Sequence, residues 1–433
     1  MQYFSLNKKS PNASFKDALI NGLAPDKGLY FPSQIKPLSD SFFKEMDNMD
    51  SSDICFEAIN QFIGNEVPPE KLKQIVNQAI SFGFPVVNVE ENVAVLELYH
   101  GPTLSFKDVG ARFMSLCLGH FIQEEDNNSK MRVLVATSGD TGSAVAQGFS
   151  DVDGVEVIIL YPSGKVSEIQ EKQLTTVGGN ITAIEVYGTF DDCQQMVKQA
   201  FIDADLENCR LTSANSINVA RWLPQMFYYF LTYKKIKDFS DNVVFSVPSG
   251  NYGNICAGMM AQKLGLPIKH FVAANNANDV VPRYLQNGIY SPNPAIATIS
   301  NAMDVGDPSN FIRIRQLFND NFETLKRNLS GYSYSDRKTR QAIKNLWKER
   351  EYMLDPHGAV AYLALKAFME NNKDYFGVFL ETAHPVKFLN VMPENLANEI
   401  EMPASISELI SRQKKTIIMD RYAQLKDHLL SRV

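Results

Sequence analysis

Short apolar runs alternate with helix-length segments along most of this chain, and that rhythm limits what it can fold into. Residues 93–99, 131–136, 155–160 and 181–186 read as strands, and 111–123, 141–149 and 167–175 between them as helices with one apolar face. After a buried helical stretch at 222–235 the alternation resumes, with strand 243–247, helix 255–264, strand 268–273 and a last strand at 375–380. Spacing of this kind builds βαβ units on parallel sheets. The expected class is α/β: two parallel-sheet domains with a ligand cleft between them, beyond the strand C-termini, plus mainly helical N- and C-terminal additions. A length of 433 residues suits two or three domains. We divide the chain into a mixed helical segment (1–95), a smaller α/β domain (96–235) and a larger one with helical insertions (236–433).

Residues outside this alternation are less regular. Ser14 can cap a helix running to residue 23, a turn follows at 25–28, and 53–63 and 69–80 read as amphipathic helices. Residues 275–308, rich in Asn, Pro and Ser, read as a long surface segment. Residues 311–351 read as charged helix, and 405–433 as one or two amphipathic helices.

Several function classes drop out. The net charge is −7 and no Lys/Arg stripe stands out, so no nucleic-acid partner is expected. No apolar run reaches membrane-spanning length, and residues 1–10 lack the apolar core of a secretory signal, so a cytoplasmic protein is expected. The five cysteines have no C-x-x-C spacing; reduced thiols are the expectation, and no metal site is indicated.

Chemistry concentrates at strand-to-helix junctions. Ser-Phe-Lys-Asp occurs twice, at 14–17 and 105–108. The first copy opens a helix in a polar stretch, and its Lys16 reads as a surface residue. The second follows an apolar strand and a Gly-Pro turn, where Lys107 is partly desolvated, as a Schiff-base lysine needs to be. On the tetrapeptide alone, a snorkelling lysine at a helix start is the better reading of Lys107. Residues 137–143 (TSGDTGS) and 250–254 (GNYGN) each end a strand and open a helix, where free N–H groups favour an anion. Plain helix capping by Ser138 or Asp140 is the competing reading of the first loop, and a strand-to-helix turn without a ligand that of the second. A lysine amine together with a phosphate cradle suits pyridoxal phosphate. In 215–221, Arg221 can clamp a phosphate or sit on the surface. Asp355-Pro356-His357-Gly358 reads as a helix start, and Thr382 ends a strand where a hydroxyl can meet a cofactor ring nitrogen or simply turn the chain.

These motifs, in this order, resemble the threonine synthases, pyridoxal-phosphate enzymes of the tryptophan-synthase-β-like fold (type II), in their longer bacterial and fungal form. The likeness runs from SFKDALINGLAPDKGLYFP through HGPTLSFKD, ATSGDTGSAVA, NSINVARWLPQ, SVPSGNYGNICAG and DPHGAV to ETAHPVKF. It implies that Lys107 holds the cofactor and moves protons. It implies that Gly250, Asn251, Tyr252, Gly253 and Asn254 bind the cofactor phosphate, and that Thr382 meets the pyridine nitrogen. Asp140 stands where related enzymes commonly have Asn beside the cofactor 3′-oxygen. Tyr252 replaces a frequent Phe, and Gly358 a frequent Thr. Ser105, Ser138, Thr141, Asn218 and Arg221 are the candidates for gripping substrate. The implied reaction converts O-phospho-L-homoserine and water to L-threonine and phosphate by γ-elimination and β-hydration, on a monomer or weak homo-oligomer. A hydroxy-amino-acid dehydratase, a phospho-lyase or a scaffold with a decayed site are the alternatives.

Overall fold

The computed structural model describes residues 1–125 and 130–431. Its internal contacts divide the chain into two compact units, neither of them continuous. The first unit holds Met1, Phe31–Phe106 and Trp222–Glu401; the second holds Gln2–Tyr30, Lys107–Arg221 and the chain from Met402 on. Unlike the division made along the sequence, the units share the N-terminal segment and give the tail to the second.

The first unit is built on a six-stranded sheet in the order Leu329–Ser333, His270–Asn275, Val243–Pro248, Phe376–Glu381, Val93–Glu97, Val86–Glu90. All neighbours are parallel except the last pair. Phe245 stands level with Phe271 on one side and Val378 on the other. Strands covered on both faces need no polar alternation, which is why these runs are continuously apolar. The helix Pro356–Met369 lays Val360, Ala364, Leu365 and Phe368 onto Val95, Val244, Val272 and Phe379. Each of the Val, Leu and Phe side chains contributes about 1.5–3 kcal/mol.

The second unit carries a five-stranded, wholly parallel sheet in the order Ile417–Met419, Ile181–Val186, Val155–Pro162, Met131–Ala136, Leu211–Ser213. Leu134, Ile158, Leu160 and Ile184 pack with Val197, Leu425 and Leu429. Ser14 caps Phe15–Asn21 in a full capping box with Asp17.

The α/β alternation stands, with several corrections. The 222–235 stretch breaks into Val219–Trp222, a tight turn at Leu223–Gln225 and Met226–Ile236, because Pro224 cannot supply a helical N–H. The 311–351 stretch is interrupted by the strand Leu329–Ser333, paired with His270–Asn275. Within 275–308 lies the helix Val280–Asn287, and Asn276, Asn278 and Ser300 are buried rather than on the surface. The tail carries helix Ala404–Ser411, strand Ile417–Met419 and helix Tyr422–Leu430; its last two residues lie outside the described residues. No helix among the described residues is long and apolar enough to cross a membrane.

Candidate active site

Lys107 opens the helix Lys107–Gln123 in the second unit, four residues earlier than the apolar pattern suggests. Its Nζ lies 3.6 Å from Oδ2 of Asp140, and the Asp140 side chain is 2% exposed. Asp140 is the first residue of the helix Asp140–Gly148, where the free N–H groups favour a negative charge. Gln170 donates from Nε2 to the other carboxylate oxygen at 2.9 Å. The loop before Asp140 is closed by Thr137, whose Oγ1 accepts from Gly139 N–H at 2.9 Å and Gly142 N–H at 2.8 Å. Ser138 and Thr141 are half-buried on either side of Gly139 and Asp140.

In the same unit, the Asn218 amide donates to the carbonyls of Leu19 at 2.8 Å and Ser213 at 3.1 Å, and accepts from Ala220 N–H. Both amide hydrogens are thus spent on backbone, so this side chain fixes the turn that leads into Val219–Trp222. Arg221 is buried and donates to the Ala214 carbonyl.

In the first unit, the strand Val243–Pro248 leads through 250–254 into the helix Gly253–Lys263. Tyr252 adopts a left-handed backbone, φ 62°, which costs a non-glycine residue about 1–3 kcal/mol. Its buried ring is held by the hydroxyl, which donates to Asn275 Oδ1 at 2.7 Å. That bond accounts for tyrosine where phenylalanine is frequent. The Asn251 side chain accepts from Ser309 N–H at 2.6 Å. On Gly250, a Cβ would lie 2.7 Å from the Met303 Cα, so only glycine fits there. Asn254 accepts the Tyr229 hydroxyl at 2.5 Å through Oδ1, while its Nδ2 is a buried donor with no partner.

The third element, also in the first unit, is the end of the strand Phe376–Glu381. Thr382 follows it and is 6% exposed. Its carbonyl accepts from Phe106 N–H at 2.9 Å, and Ser105 bridges to Ala383. His384 N–H donates to the Leu104 carbonyl at 3.1 Å, and buried Lys387 donates to the Thr103 carbonyl at 2.9 Å. ETAHPVKF thus pins HGPTLSF in place, and Lys107 is the next residue but one after Ser105.

These residues fit pyridoxal phosphate. The chain offers an amine for its aldehyde, an orphaned buried amide donor at a helix start for its phosphate, and a strand-end hydroxyl for its ring nitrogen. Gln170 and Tyr229, which orient Asp140 and Asn254, are absent from the sequence reading. The only signal for Gln170 is its place in the capping box with Ser167, which says nothing of Asp140.

Comparisons with known proteins agree with this chemistry. Residues 86–375 match the family described as pyridoxal-phosphate dependent enzyme, residues 2–80 the threonine synthase N terminus, and residues 358–429 the threonine synthase C-terminal family. Threonine synthase of Escherichia coli (strain K12) is 43% identical over 410 residues, 94% of each chain. A crystal structure of threonine synthase from Escherichia coli superposes with a TM-score of 0.93 at 41% identity, covering 100% of both chains. PLP-bound threonine synthase from Brucella melitensis superposes at 0.92 with 29% identity, over 100% of this chain and 99% of that one. With threonine synthase families matched at both its N-terminal and C-terminal parts and a relative 43% identical over 94% of each chain, the chain belongs to the threonine synthases.

Proposed function

We propose that this chain converts O-phospho-L-homoserine and water to L-threonine and phosphate, the last step of threonine biosynthesis, with pyridoxal phosphate as cofactor. The full-length likeness to the Escherichia coli enzyme carries this reading. The residue roles are our assignment, supported by the local geometry.

Bound pyridoxal phosphate supplies an electron-withdrawing ring that acidifies the substrate Cα–H. Lys107 Nζ holds the cofactor and, once released, takes the Cα proton and returns protons later. Asp140, fixed by Gln170, orients that amine and faces the cofactor 3′-oxygen. The N–H groups of Gly250, Asn251, Tyr252, Gly253 and Asn254, with Asn254 Nδ2, bind the cofactor phosphate. Thr382 offers a neutral hydroxyl to the ring nitrogen, which tempers electron withdrawal and limits side reactions. Ser105, Ser138, Thr141 and Arg221 take the substrate's leaving phosphate, and Asn218 shapes the turn that carries Arg221. We further propose a cytoplasmic enzyme, a monomer or weak homo-oligomer, acting on this small molecule without nucleic-acid or membrane partners.

The test is to supply O-phospho-L-homoserine to the cofactor-loaded protein and quantify products. Equal threonine and phosphate are expected. Lys107→Ala is expected to lower turnover by at least about a thousandfold and to abolish covalent attachment of the cofactor. Phosphate with 2-oxobutyrate instead of threonine would make the protein a lyase of the same fold.

A further inference from the structure

The motif 355–358 carries no role in the reaction as described, yet it brings three buried titratable side chains, Asp355, His357 and Glu381, together in the first unit. Asp355 caps the helix Pro356–Met369, accepting the N–H of His357 at 2.7 Å and of Gly358 at 3.3 Å. The His357 ring meets the same carboxylate, with Nδ1 2.5 Å from Asp355 Oδ1. On the far side of the ring, Nε2 accepts from Ala302 N–H at 3.3 Å. These partners assign the ring as neutral, with its proton on Nδ1 and donated to Asp355.

Glu381 stands on the other side of Asp355, immediately before Thr382, and is 0% exposed. Its Oε1 accepts from Asp355 N–H at 3.1 Å, and its Oε2 is buried with no donor. A carboxylate oxygen buried without a donor is costly, whereas a carboxylic acid there can donate to Asp355. Burial first, and then the charge of Asp355, push the Glu381 carboxyl well above the usual range.

Gly358 is matched to this acid. A Cβ on Gly358 would lie 2.1 Å from Glu381 Oε1 and 2.3 Å from its Cδ. The space that a threonine side chain would need at 358 is filled by the Glu381 carboxyl. The chain of contacts also reaches the phosphate loop, because Ala302 and Met303 are the residues against which Gly250 packs.

We propose that Glu381, Asp355 and His357 form a proton-sharing clamp that fixes the spacing between Thr382 and the 250–254 loop, with Glu381 a positioning residue of the cofactor site. The clamp rests on the cofactor reading above. Around Glu381 stand Glu97 and Tyr99 from the neighbouring strand and its continuation, and Tyr352, Asp355 and His357 from the approach to the helix. His384 and Lys387 follow Thr382, and Asp304 faces His357. Among these the shared proton is the switch: its loss puts a second buried negative charge beside Asp355, so the clamp weakens as pH rises.

The experiment is a pyridoxal phosphate titration of the full-length apoprotein at a series of rising pH values, read by the bound cofactor's absorbance. Wild type, Glu381→Gln and Glu381→Leu are compared. Wild type is expected to lose affinity toward the alkaline end. Glu381→Gln keeps a donor and an acceptor, and is expected to hold affinity there without the pH drift. Glu381→Leu keeps the volume but not the hydrogen bonds, and is expected to bind about tenfold more weakly, near the value of one buried hydrogen bond, with a shifted absorbance maximum. Should Glu381→Leu fail to fold, infrared spectra of wild type and Glu381→Gln decide: a protonated-carboxyl stretch that persists above the ordinary carboxyl range only in wild type is expected. Unchanged affinity and absorbance in folded Glu381→Leu, or no such stretch lost in Glu381→Gln, overturns the clamp. A wild type that never attaches cofactor to Lys107 overturns instead the function reading on which it rests.

Discussion

Two strand-to-helix junctions look alike in sequence and are built in opposite ways. The 137–143 loop is closed from within. Thr137 takes two of its N–H groups, and Asp140 is met by Gln170 and Lys107. The 250–254 loop is held from outside. Asn251 is tied to Ser309, Tyr252 to Asn275 and Asn254 to Tyr229, and the Asn254 Nδ2 is left with no partner. The first loop spends its donors to present a carboxylate beside an amine. The second has its side chains anchored elsewhere, which leaves the Asn254 amide donor without a partner. Alike as sequences, the two junctions differ in where their hydrogen-bonding groups are spent.

Changes at the anchors separate the two designs. Thr137→Val strands two buried N–H groups and is expected to destabilise the apoprotein by about 2–6 kcal/mol, at roughly 1–3 for each unsatisfied group. Its thermal unfolding without cofactor measures this, and a change below about 0.5 kcal/mol would break the claim that the loop is closed by that hydroxyl. Asn254→Ala is expected to weaken pyridoxal phosphate binding about tenfold, the value of a charge-assisted hydrogen bond. Apoprotein unfolding should move little, because Tyr229 keeps the Asn254 carbonyl at 3.2 Å. The reverse pattern would make Asn254 a packing residue and erase the contrast. Tyr252→Phe removes one hydrogen bond and is expected to cost about 1 kcal/mol in apoprotein stability, with cofactor affinity following only as far as the left-handed backbone relaxes.

The α/β class and the strands 131–136 and 181–186 could be read from the sequence because buried parallel strands are apolar throughout. The short strands Leu211–Ser213, Leu329–Ser333 and Ile417–Met419 could not. Each is at a sheet edge, and its conformation is set by the neighbour it pairs with rather than by its own pattern. The site residues stood out where a motif concentrated chemistry in a few positions, as around Lys107 and Gly250. The Asp140–Gln170 bond spans 30 residues and the Asp355–Glu381 bond 26. Neither has a local signature, and a glutamate before a threonine at a strand end looks like any exposed charge until the glycine it fills is placed against it.

The second unit takes its first thirty residues from the start of the chain and its last strand and helix from the end. Ile417–Met419 pairs with Ile181–Val186, and Leu425 and Leu429 complete the core around Leu134 and Ile184. During synthesis this sheet therefore has an open edge while more than two hundred further residues emerge. At about 5–20 residues per second that interval lasts roughly ten seconds or more. The strand Ile181–Val186 stays an uncovered edge on that side until the C-terminal strand arrives to pair with it.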